Sequence, residues 1–107
     1  MRRVRIAIPP VEDFEHVAAE LTADPEVERS QMMGHPALKI RGRMFAIGFG
    51  DDLVVKLGRE TVDEMVAAHD ARPFDPSGRN RPMRDWAQVP PGDDWIELAE
   101  DAKAAVA

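Results

Sequence analysis

Apolar residues recur at helical spacing through Val11, Phe14, Val17, Ala18 and Leu21, with acids between them. Pro9 and Pro10 bar extension backward. Asp24-Pro25 stops the helix, because the residue before proline avoids the α region. Ahead of it, Val4, Ile6 and Ile8 alternate with Arg3, Arg5 and Ala7, the pattern of an extra edge strand or a loose arm. Val27–Met33 reads as a first strand, interrupted by Gly34-His35-Pro36. Leu38 and Ile40 alternate with Lys39 and Arg41, and Arg41-Gly42 makes a tight turn into a returning strand over Arg43–Phe49. Gly50-Asp51-Asp52 makes a second turn into Leu53–Leu57. These loops oppose Ile40 to Arg43, Leu38 to Phe45, Phe49 to Leu53, Ile47 to Val55 and Phe45 to Leu57. Val62, Met65, Val66 and His69 give a second amphipathic helix. A last strand falls near Arg84–Val89. Asp93 or Asp94 can cap a final helix whose apolar stripe is Trp95, Leu98, Ala99, Ala102 and Val106.

The order is helix, three or four antiparallel strands, helix, strand, helix. Helices packed on one face of an antiparallel sheet make a two-layer α+β domain spanning residues 1–107. A period of two puts Leu38, Ile40, Phe45, Ile47, Phe49, Leu53, Val55, Leu57, Ala87 and Val89 on the buried face. It puts Lys39, Arg41, Met44, Ala46, Val54, Lys56, Arg84, Trp86 and Gln88 on an open, basic one.

Composition narrows the class. A chain of 107 residues with 44% apolar content fits one small core. The absence of cysteine excludes disulfides, thiolate metal sites and a cysteine nucleophile, and fits a reducing cytoplasm. No apolar run approaches the roughly 20 residues needed to span a membrane. Eleven arginines against three lysines, with much alanine, suit a bacterial source with a GC-rich genome.

Charge is unevenly spread. The net charge is −6, yet residues 11–28 hold seven acids and no base. The stretch Ala71–Pro91 joins the second helix to the last strand and carries four arginines beside Phe74, Met83 and Trp86. Arg72, Arg79, Arg81 and Arg84 present paired guanidinium donors suited to a phosphate or carboxylate. With Lys39, Arg41, Lys56 and Trp86 they also compose a nucleic-acid surface, though the overall acidity argues against strong duplex binding. The plain alternative is that they neutralise helix acids and pack their stems on the sheet. Phe74, between two prolines, either gates a pocket or plugs a core edge under the loop. Trp86 on the open face, beside Met44 and Val54, marks a patch for a second copy, a partner protein or the N-terminal arm. His16, His35 and His69 have no partner at ligand spacing, so neither a metal nor a cofactor is expected. Ser30 and Ser77 lie in no nucleophile elbow, and tyrosine is absent. No nucleophile–base pair stands out, so a non-enzyme is expected.

Two stretches carry a resemblance. Met33-Gly34-His35-Pro36-Ala37-Leu38-Lys39-Ile40-Arg41-Gly42-Arg43-Met44-Phe45-Ala46 resembles the strand–turn–strand block of the TfoX N-terminal domain, and of the related YjbR/MmcQ-like proteins. Ala71-Arg72-Pro73-Phe74-Asp75 through Arg81-Pro82-Met83-Arg84-Asp85-Trp86 resembles the "R-P-x-D … R-P-M … W" element of stand-alone members. Leu53–Leu57 and Asp94–Ala99 fit in place and order. The Asn80 insertion departs from the usual Gly-Arg-Pro. The resemblance implies a fold like those of YjbR and the type III secretion chaperones, and a link to regulation of competence for DNA uptake. It implies no active site. The expectation is therefore a non-catalytic module acting through protein contacts or its own dimer. The alternatives are nucleic-acid association through the basic face and binding of a small anionic ligand.

Overall fold

A computed structural model describes residues 13–107, so the expected arm at Val4–Ile8 and the helical position of Val11 lie outside the described residues. The elements are α1 (Phe14–Leu21), β1 (Val27–Met32), β2 (His35–Ile40), β3 (Arg43–Phe49), β4 (Asp52–Lys56), α2 (Arg59–Ala67), β5 (Arg72–Phe74), β6 (Met83–Val89) and α3 (Trp95–Val106). The six strands form one antiparallel sheet in the order β1-β2-β3-β4-β6-β5. All three helices contribute to one core on one side of it, which is the two-layer α+β arrangement expected from the sequence. The short β5 is an addition, found inside the arginine-rich stretch.

Local chemistry explains the boundaries. Asp13 caps α1 by accepting a hydrogen bond from His16 N at 2.9 Å. After α1, the Asp24 carboxylate accepts from Glu26 N at 2.9 Å and turns the chain into β1. Helix α2 ends in a paired C-cap: Asp70 N donates to Met65 O at 2.9 Å and His69 N to Val66 O at 3.1 Å. His69 therefore serves that terminus through a left-handed backbone, φ +65°, where glycine is usual. Asp94 occupies the N-cap position of α3, but its side chain makes no cap hydrogen bond. Arg43 donates to Val106 O at 3.1 Å and places a cation at the other end of that helix.

The faces of the sheet depart from the simple alternation at β3. Lys39 opposes Met44 but Leu38 opposes Ala46, so Phe45 is an extra residue, a β-bulge. Beyond it the turn is tighter than expected. Phe49 opposes Asp52, leaving Gly50-Asp51 as a two-residue connection. The bulge adds one residue and the turn removes one. Strand β4 therefore keeps its expected faces while Ile47 and Phe49 cross to the opposite one, since a one-residue slip reverses every side chain. Phe45 and Ala46 both enter the helix-side core, which corrects Ala46 as well. A second correction concerns Pro36. The β1–β2 hairpin turns at Met33-Gly34, both with positive φ, and Pro36 lies inside β2.

The main core holds Val17, Leu21, Leu38, Phe45, Leu53, Val55 and Trp95, each nearly or wholly buried. Gly48 lets α1 approach: a Cβ there would stand 2.8 Å from Phe14 Cγ. The Trp95 indole donates to Pro90 O at 2.9 Å, joining α3 to the end of β6. Lys103 of α3 pairs with Asp24 at 3.2 Å and with Glu100 at 3.1 Å. The backbone amide of Glu26 and then the Lys103 ammonium hold the Asp24 carboxyl below its ordinary value.

Candidate functional site

The face away from the helices is not open around Trp86. Ala37, Ile47, Val54, Phe74 and Trp86 form a second, smaller apolar cluster, with Met32, Met44, Phe49 and Met83 packed against it. Trp86 is 6% exposed and Phe74 is fully buried, which corrects the expectation of an exposed tryptophan platform. Phe74 acts as the plug rather than a gate. Its ring meets Phe49 edge-on at 5.2 Å and lies 6.5 Å from Trp86. Phe74 reaches that position because β5 breaks register against β6. Pro73 opposes Ala87 but Phe74 opposes Met83, leaving Arg84-Asp85-Trp86 between them. The Asp85 carbonyl instead accepts from Leu57 N and Gly58 N, so this detour also fixes the start of α2.

Between α2 and the β5–β6 pair runs a groove of about 310 Å³. One wall is Val62, Asp63, Val66 and Ala67 of α2. The other is Pro73 of β5 with Pro82, Met83 and Arg84, and Trp86 lines it too. The surface is mostly apolar with one guanidinium and one carboxylate. Other clefts differ in chemistry. One of about 420 Å³ beside the β3–β4 turn is bordered by Asp13, Asp51 and Asp52. Another, of about 440 Å³, lies between α2 and α3 over Leu57, Met65 and Leu98.

The expected basic surface divides. Lys39 pairs with Glu28 at 3.9 Å and Arg41 with Glu26 at 2.9 Å, both at the β1–β2 side of the sheet. Arg72 pairs with Asp52 at 3.1 Å, and Gln88 Nε2 donates to the same oxygen at 2.7 Å. In all three the cation meets an acid of the sheet or of the turn before β1, not a helix acid as the plain reading has it. Lys56 lies directly opposite Trp86 across the β4–β6 ladder. Arg84 lines the groove, and Arg79 and Arg81 stand in the connection that enters it at Pro82. That connection is organised by Asp75, which accepts from Ser77 Oγ at 2.7 Å, Arg81 N at 3.1 Å and Gly78 N at 3.2 Å. The Ser77 hydroxyl first, then these amides, hold the Asp75 carboxyl below its ordinary value.

The α2 wall was missed from the sequence. Val62 and Val66 read as core, and their neighbours Asp63 and Ala67 give the row beside it. Two adjacent helical rows, one apolar and one mixed, are the signal of a helix that packs on a sheet and also borders a groove.

The matched family decides the relationship. The family model of the TfoX N-terminal domain matches residues 19–106. The chain belongs to that family. The match covers both the β2–β3 block and the arginine-rich stretch of this TfoX N-terminal domain, so every groove residue lies within it. No curated protein and no solved structure matches the chain. Among the described residues there is no group of histidines and acids able to hold a metal ion, and no helix long and apolar enough to cross a membrane.

Proposed function

We propose that this TfoX N-terminal domain protein is a non-catalytic recognition module that receives an apolar side chain of a protein partner in the α2/β5–β6 groove. The observation that carries the reading is the groove itself, with Trp86, Met83 and two prolines on or beside its floor and an arginine at its edge. Tryptophan, methionine and arginine are the side chains protein interfaces favour. Its volume, about 310 Å³, matches a single anchoring side chain better than an extended ligand. The cytoplasmic setting suggested by the absence of cysteine and the regulatory one implied by the resemblance belong to this proposal. Nucleic-acid binding gains less support, because Lys39, Arg41 and Arg72 are engaged within the chain and Trp86 offers no free face for stacking.

Ala67→Trp fills the groove from its exposed wall. Peptides selected from a random display library on the natural protein should lose binding to this variant. Peptides that hold both proteins equally would remove the groove from the reading.

A further inference from the structure

The groove is mostly apolar, with Arg84 and Asp63 in its lining. Among the described residues, Lys56, Arg59, Arg79, Arg81 and Arg84 form no ion pair and no side-chain hydrogen bond. Arg29, Lys39, Arg41, Arg72 and Lys103 all meet carboxylates, and Arg43 meets a carbonyl. Of these five, Arg84 lines the groove, Arg79 and Arg81 lie in the connection that enters it at Pro82, Arg59 opens α2, and Lys56 lies opposite Trp86 in the β4–β6 ladder. Shortage of acids is not the cause, since the chain holds 20 acids against 14 bases.

A second observation concerns Trp86. Its side chain lines the groove and is 6% exposed, yet its indole N–H donates to no acceptor among the described residues. The Trp95 indole, by contrast, has Pro90 O. Buried donors are ordinarily satisfied, so an unengaged one at a groove suits a ligand that brings an acceptor.

We infer that the groove takes an acidic segment of a partner protein, with one bulky apolar side chain against Val66, Pro82 and Met83, an acceptor for the Trp86 indole N–H, and flanking carboxylates on Arg84 and the arginines of the 75–82 connection at its rim. The inference rests on the groove reading above and adds the charge of the partner. A carboxylate-rich peptide meets both needs, charge for the rim and an apolar anchor for the floor. A nucleic acid meets only the first.

The test is an NMR titration of the isotopically labelled full chain with a capped hexapeptide, Asp-Glu-Leu-Phe-Glu-Asp. The control is its neutral counterpart, Asn-Gln-Leu-Phe-Gln-Asn. The acidic peptide should bind about tenfold tighter at low salt, with the gap closing at high salt as screening removes the rim's contribution. The Trp86 indole N–H and the Val66 amide should shift. Arg84→Glu, a substitution at an exposed position, should abolish the preference for the acidic peptide. Equal binding of the two peptides overturns the inference and leaves the groove reading standing. Absence of shifts at the groove with either peptide overturns both. A single-stranded oligonucleotide that shifts the groove residues more strongly than the acidic peptide, or self-association abolished by Arg84→Glu, assigns another occupant and overturns the inference.

Discussion

Trp95 and Trp86 belong to the two apolar clusters on opposite sides of one sheet, 2% and 6% exposed. Trp95 belongs to the larger, helix-side cluster and lines the cleft beside the β3–β4 turn, and its one polar atom has a partner at 2.9 Å. Trp86 belongs to a smaller cluster plugged by Phe74, borders a groove, and has an unengaged N–H. The contrast shows that burial alone does not separate a structural tryptophan from a binding one. Both border a cleft, and satisfaction of the polar atom is what differs.

The largest expected effect probes that contrast directly. Trp95→Ala should cost about 3–5 kcal/mol, measured by urea unfolding, because the helix-side core cannot collapse around the loss. Trp86→Ala should cost less, about 3 kcal/mol or below, since it belongs to the smaller of the two clusters. The reverse order would break the comparison. Next, Gly48→Ala should cost about 1–3 kcal/mol, because the new methyl group forces Phe14 and α1 away from β3.

Conservative replacements sharpen the difference. Trp95→Phe strands the Pro90 carbonyl as well as losing volume, so about 1–3 kcal/mol is expected. Trp86→Phe breaks no hydrogen bond within the chain and should stay below about 1.5 kcal/mol.

The smallest effects come from acid. Asp24 and Asp75 both have carboxyls held below the ordinary 3.8. A lowered folded-state value means stability that is present above 3.8 and lost as pH falls through the lowered value. Urea midpoints measured down the acid limb should therefore fall less steeply for Asp24→Asn than for the natural chain. For Asp75 the loss is local. Hydrogen-exchange protection factors at the Gly78 and Arg81 amides should fall in acid while the Trp95 side stays protected.

Much of this was legible in the sequence. Helix stripes such as Val17-Ala18-Leu21 and the Arg41-Gly42 turn depend on near neighbours, and near neighbours are what periodicity reads. The TfoX N-terminal relationship was carried by ordered blocks of the same kind. The exchange of faces at Ile47 and Phe49 was not legible. A bulge and a shortened turn leave the same alternation of apolar residues as a regular ladder, and only the partner strand reveals the offset. Trp86 was placed on the correct side of the sheet but credited with exposure, because the register break that sends Phe74 over the sheet lies in β5, a three-residue strand containing proline. The engagement of Lys39, Arg41 and Arg72 likewise depended on acids from other elements.

The bulge at Phe45 and the two-residue turn at Gly50-Asp51 act together as a pair of cancelling frameshifts. Between them, a short run of β3 is read one step out of phase, and that run delivers Ile47 and Phe49 to Phe74. Restoring phase by deleting a residue at the bulge and adding one at the turn would leave β1, β2 and β4 facing as they do now. It would also withdraw both side chains from beneath the plug. The support under Trp86 thus rests on two local irregularities that must be inherited together.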